Sequence, residues 1–212
     1  MDTKTFRRLI KDNLKPTLND MGFKGTDHHF IKKTNDHYIY TIVIQANIKG
    51  GACIMEMGVG IDCVDLNRNN KITTVYDCEF RKRIKQEITL WDRLRGNTLE
   101  KWHDYGENEN QALKTISKMS ELFKVQGPEF YGQFDQFPNP LSKITIEELI
   151  SGSNRIDNLG SPPKLRLALI LSKTHQYIGN KKEQISFAEW GLRNIGNASA
   201  LEEEFRKLIQ DV

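Results

Sequence analysis

The sequence predicts an α+β fold: an antiparallel sheet of about four strands, an N-terminal and a second helix packed on one face, then a C-terminal helical hairpin and a tail helix. Three observations predict it. Phe6, Leu9, Ile10, Leu14 and Leu18 recur at helical spacing, so one stripe must be buried against another layer. Extended runs over 28–33, 37–47 and 52–64 follow, separated by turn residues. Beyond residue 160, helical periodicity returns behind cap signals.

The first helix starts at a Thr3 cap, with Lys15-Pro16 bending or breaking it, since proline removes a backbone bond and clashes with the preceding turn. Gly22 closes the helix and Phe23 re-enters the core. Thr34-Asn35-Asp36 joins the first two strands, and Lys49-Gly50-Gly51 turns into the third. In that strand Cys53, Met55, Met57, Val59, Ile61 and Cys63 share one face. The other carries Ala52, Glu56, Gly58, Gly60 and Asp62, with Ile54, and is expected to be the more exposed. Ile72 to Tyr76 reads as a short fourth strand. From Cys78 to Gly106 no single period dominates.

A second helix is expected from Asn108 to Lys124 through Leu113, Ile116, Met119, Leu122 and Phe123, stopped by Gly127-Pro128. Pro138-Asn139-Pro140 marks the best boundary in the chain, dividing an α+β domain (1–140) from a helical subdomain (141–212). Ser161-Pro162-Pro163 caps a helix running to about Tyr177. After Gly179-Asn180, a partner helix from Glu183 to Asn194 turns Ile185, Ala188, Leu192 and Ile195 inward. Ser199 with Glu202 forms a capping box for a tail helix ending near Gln210.

The 212 residues suffice for a proper core, and 31 basic against 28 acidic side chains leave a net charge of only +3. That balance alone does not mark a nucleic-acid protein. Three cysteines without a CxxC spacing suit a reducing compartment, and no apolar run nears the ~18 residues of a membrane helix. A cytosolic protein with no signal peptide and no membrane contact is expected. The chain has no P-loop, GxSxG elbow, HExxH or dinucleotide fingerprint, because Gly58-Val59-Gly60 lacks the third glycine.

Phe6, Leu14-Lys15-Pro16 with Leu18, Gly22-Phe23-Lys24, Phe30 and Val43 to Gln45 carry a family resemblance. So do Cys78-Glu79-Phe80-Arg81 with Arg83-Ile84, and Trp102 with Glu107 to Leu113. Over roughly residues 3 to 135 the chain resembles the bacterial family known as domain of unknown function 4304, extended here by C-terminal helices. The resemblance implies a fold more than a chemistry, with a role in intercellular conflict or immunity as its functional expectation. The family often has tryptophan at the positions of Phe80 and His103, so a paired-tryptophan surface is not carried over.

Among candidate sites, Arg81, Lys82, Arg83, Lys85, Arg93, Arg95 and Lys101 interleave with Phe80, Trp91 and Trp102. Arginine beside aromatic rings suits a protein hot spot, the first reading, or phosphates and bases, the second. The expected binding residues are Arg81, Arg83, Trp91, Trp102 and His103. Cys78 is the cysteine to test as a nucleophile, because the neighbouring cations would lower its pKa if it were exposed. His28 and His29 are expected on opposite faces of a strand, so at most one can join His37, and no metal or cofactor is expected. Together these features favour a non-catalytic module with a protein partner. Nucleic-acid binding through residues 80–102 is the alternative, and an enzyme of unrecognised type the third.

Overall fold

The structure, a computed structural model, describes residues 1–64, 72–86 and 102–210, together with Leu94. Helix α1 (Thr3–Asn13) is capped by Asp2 instead of Thr3, its carboxylate accepting the Thr5 N–H at 2.7 Å. The helix breaks at Leu14, and α2 (Lys15–Asp20) restarts with Pro16 in its first turn, where no N–H is needed. Gly22, at φ +86°, then reverses the chain into β1 (Lys24–Gly25).

Strands β2 (His29–Lys33), β3 (Tyr38–Ala46), β4 (Ala52–Ile61) and β5 (Phe80–Arg83) follow β1 in an antiparallel sheet of order β1-β2-β3-β4-β5. The two-residue β6 (His103–Asp104) also pairs with β4, giving six strands among the described residues. Tyr38 stands opposite Ile61, Ile42 opposite Met57 and Ala46 opposite Cys53. Tyr38, Tyr40, Ile42 and Ile44 therefore share the inner face with Cys53, Met55, Met57, Val59 and Ile61, all buried. The expected inner parity of β4 holds to Ile61, where the strand ends; Cys63 lies beyond it.

Helix α1 and helix α3 (Glu109–Tyr131) cover that face. Phe6 stacks on Tyr105 at 4.0 Å, Tyr40 stacks on Tyr131 at 4.5 Å, and the Cys53 sulfur meets that of Met119 at 3.6 Å. Asn108 caps α3. The helix does not stop at Gly127-Pro128 but runs through them to Tyr131. An interior proline costs about 3 kcal/mol, yet burying Phe130 and Tyr131 in the same turn returns about 2 kcal/mol each, so continuation wins.

The outer face corrects the sequence reading, because it is covered and not exposed. Ile39, Val43 and Ile54 are 5%, 2% and 4% exposed there, and Val75 and Cys78 are buried as well. Residues 72–78 lie directly on the strands instead of pairing as a fourth one. Ile72 sits against Gly60 and Cys78 against Gly58, so the two glycines serve close packing of chain upon sheet. Val75–Asp77 form a 3₁₀ turn in which Asp77 Oδ2 accepts the N–H groups of Thr73 and Thr74, each at 2.9 Å. The strand that follows β4 in the sheet is β5, within the segment whose period could not be read.

Past residue 140 come a 3₁₀ turn (Leu141–Lys143) and two short helices that the sequence reading passed over, α4 (Ile146–Ser151) and α5 (Asn154–Asn158). The hairpin of α6 (Lys164–Tyr177) and α7 (Lys181–Arg193) and the tail helix α8 (Glu202–Gln210) stand as expected. Their details differ. Pro163 occupies the cap of α6 while Ser161 sits upstream at φ +50°, and α7 buries Gln184, Phe187, Ala188 and Gly191. Ala188 alone of the four expected inward residues is fully buried.

Candidate functional site

On the outer face, β5 places Arg81 opposite Gly58 and Arg83 opposite Glu56. Glu56 is 5% exposed, and a carboxylate that deep needs opposite charge. Arg81 supplies it through Nε at 3.1 Å and Nη2 at 3.0 Å on the same Oε1, and Arg83 Nε lies 3.9 Å from Oε2. The Arg81 guanidinium also sits 5.2 Å above the ring of Tyr76, whose hydroxyl donates to Gln45 Oε1 at 3.2 Å. A half-exposed tyrosine is thus held from two sides, and its arginine is held from beneath.

Beside this cluster lies a cavity of about 390 Å³ bordered by Arg7, His28, His29, Gln45, Ile48 and Tyr76. Ile48, at the tip of the β3–β4 turn, is 99% exposed. A second cavity, of about 650 Å³, continues along α1 past Lys4, Arg7 and Lys11 and shares Arg7 with the first. Spacings of three and four residues put these cations on one side of the helix. His28 precedes β2, so strand alternation does not separate it from His29, and the rings stand 4.3 Å apart. Burial lowers the pKa of His29, with the charges of His28 and Arg7 acting in the same direction.

Of the remaining expected residues, His103 lies apart from this group. His103 stands opposite Cys53 on the inner face, 1% exposed, with burial and then the Lys118 charge holding its pKa down at about 4. Trp102 is half-buried, its carbonyl accepting from Gln86 Nε2 at 2.9 Å. Trp91 lies outside the described residues, as do Arg93, Arg95 and Lys101. Cys78 is buried 3.2 Å from Thr41 Oγ1, and burial pushes its thiol up to about 12, outweighing the Thr41 hydrogen bond and the Arg81 charge. A thiol in that state is protonated at neutral pH and is a poor nucleophile. Cys78, Arg81 and Arg83 share a face; His103 is on the other side of the sheet.

Sequence reasoning missed Arg7, Gln45, Ile48 and Tyr76. The signal for Arg7 was present in the polar stripe of α1, whereas Tyr76 was hidden by reading residues 72–76 as a strand.

The sequence pattern of the family described as Domain of unknown function (DUF4304) matches residues 14–133. No curated protein and no solved structure matches the chain. No described helix is long and apolar enough to cross a membrane.

Proposed function

The chain belongs to the DUF4304 family, and we propose that it is a non-catalytic, cytosolic binding module that holds an acidic segment of a protein partner. The observation that carries this reading is the preorganised Tyr76–Arg81 pair beside the groove, with cations continuing along α1. Tyrosine and arginine are the residues that dominate protein hot spots, and an arginine already anchored on Glu56 loses little freedom on binding. Arg7, Lys4 and Lys11 complement an acidic segment, while Ile48 and Tyr76 offer it an apolar anchor. The odd count of three cysteines without a CxxC spacing favours a reducing compartment.

The test is capture of partners by tagged full-length protein from its native host, repeated with Arg7→Glu/Lys11→Glu and with Tyr76→Ala. A stoichiometric protein lost from both variants and weakened by salt supports the reading, and a toxin as that protein would make the module an immunity protein. A partner retained by both variants overturns it. Nucleic acid that elutes steeply with salt would also overturn it, in favour of phosphate recognition by the same cations.

A further inference from the structure

On the side of the sheet where β3 begins and β4 ends, three residues of different donor chemistry converge. Asp62, just past β4, donates its N–H to the His37 carbonyl at 3.0 Å, tying the two strand ends together. Its carboxylate oxygen lies 2.9 Å from His37 Nδ1, and Cys63 follows directly. One donor atom each of His37, Asp62 and Cys63 falls within 4.8 Å of the other two. The other ring nitrogen, Nε2, is 2.9 Å from the hydroxyl of Tyr177 on α6. Phe137 and Tyr177 set their rings edge-on to the imidazole at 5.3 and 5.2 Å, restricting its orientation. Beside the group opens a cavity of about 370 Å³ bordered by Cys63, Val64, Lys173, Gln176 and Tyr177.

We propose that His37 Nδ1, an Asp62 carboxylate oxygen and the Cys63 sulfur form a zinc site with its fourth position open to this cavity. Imidazole, carboxylate and thiolate together are a donor set that zinc accepts, and three protein ligands with one open position leave room for water or an exogenous ligand. Two ligands bound at about 2.2 Å in tetrahedral geometry stand about 3.6 Å apart, which rotation of half-exposed side chains reaches from the present spacing. Hydrogen bonding by the far nitrogen of a ligating histidine orients the ring, and Tyr177 is placed to do this.

The geometry allows a tautomer in which an Nδ1–H faces Asp62 and Tyr177 donates to Nε2. From that tautomer, zinc binding at Nδ1 leaves the imidazole proton on Nε2, where Tyr177 becomes the acceptor, and the Cys63 thiol releases its proton to solvent. One zinc ion then enters and one proton leaves. Because Tyr177 belongs to α6, the ion also strengthens the junction between sheet and helical segment.

The experiment titrates metal-stripped full-length protein with Zn²⁺ by calorimetry and with Co²⁺ by absorption spectroscopy. One ion per chain, intense tetrahedral cobalt bands and a thiolate-to-cobalt charge-transfer band are expected. Cys63→Ser should abolish the charge-transfer band, His37→Ala should remove stoichiometric binding, and Tyr177→Phe should weaken Zn²⁺ about 10-fold. Thermal melting of each metal-free variant establishes that it folds. Absence of one-to-one binding by the folded wild type overturns the site, as does cobalt binding without a thiolate band or Zn²⁺ affinity unchanged in Cys63→Ser and His37→Ala.

Discussion

Gly58 shows how tightly single positions on the outer face are specified. A Cβ built there would stand 2.6 Å from Thr41 Oγ1 and 3.0 Å from the Cβ and sulfur of Cys78. Neither neighbour can retreat easily. Thr41 is fully buried, β-branched and bonded to the Gly58 carbonyl and to Cys78, and Cys78 is fixed by the turn before it. Gly58→Ala should therefore destabilise the protein by about 2 kcal/mol through overpacking. Urea unfolding would show this as a lower midpoint at unchanged slope, and an unchanged midpoint would mean that residues 72–78 lift from the sheet at no cost. Glu56, two residues earlier, is specified by charge instead of volume, since its buried carboxylate needs the arginines of the neighbouring strand.

At the scale of elements, what the sequence made legible follows from where each element finds its partners. Helix α1 and strands β3 and β4 bury their own periodic residues, so Phe6, Leu9 and Ile10 or Met55, Met57 and Val59 announce them. Strand β5 could not announce itself. Arg81 and Arg83 turn to the outer face, where Glu56, 25 residues upstream of Arg81, receives them, and Lys82 lies 5.9 Å from the Phe130 ring. The candidate site was half-legible for the same reason: the arginines stood out, but Tyr76 is held in place through Gln45 and Arg81. Helix α4 was legible and overlooked, since Thr145 and Glu148 make a capping box in both sequence and structure. Strand β6 buries His103, which gives that element a pH dependence. Its pKa is about 4 in the fold against about 6.5 unfolded, so above pH ~6.5 it is neutral in both states and stability is complete. As pH falls from there, the unfolded chain gains the proton first, and stability declines until the folded value is passed, by about 3 kcal/mol in all. His103→Phe should flatten this part of the decline when urea stability is compared at pH 7.5 and pH 4.5. Equal declines in the two proteins would show that His103 is not held neutral.

For the whole molecule, the question is whether residues 141–212 stand or fall with the sheet. Apolar residues from both parts belong to one cluster, in which Leu141, Ile144, Leu159 and Leu167 join Phe30, Met57 and Phe80. Polar contacts cross the same boundary: the Tyr177 hydroxyl lies 2.9 Å from His37 Nε2, Arg166 pairs with Glu79, and Gln133 Nε2 donates to the Asn158 carbonyl at 3.3 Å. Gly160, at φ +96°, lets the chain pass against the backbone of Arg81, where a side chain would collide. A boundary crossed by core and hydrogen bonds alike predicts that the helical segment unfolds with the sheet. The tryptophans allow a direct test, because Trp190 lies on α7 while Trp91 and Trp102 belong to the first 140 residues. Trp190→Phe leaves fluorescence reporting the sheet side, and Trp91→Phe/Trp102→Phe leaves it reporting the helical side. Coincident urea transitions, with equal midpoints once each variant is referenced to its own circular dichroism, are expected. Two separated midpoints would mark residue 140 as the border of an independently folding unit.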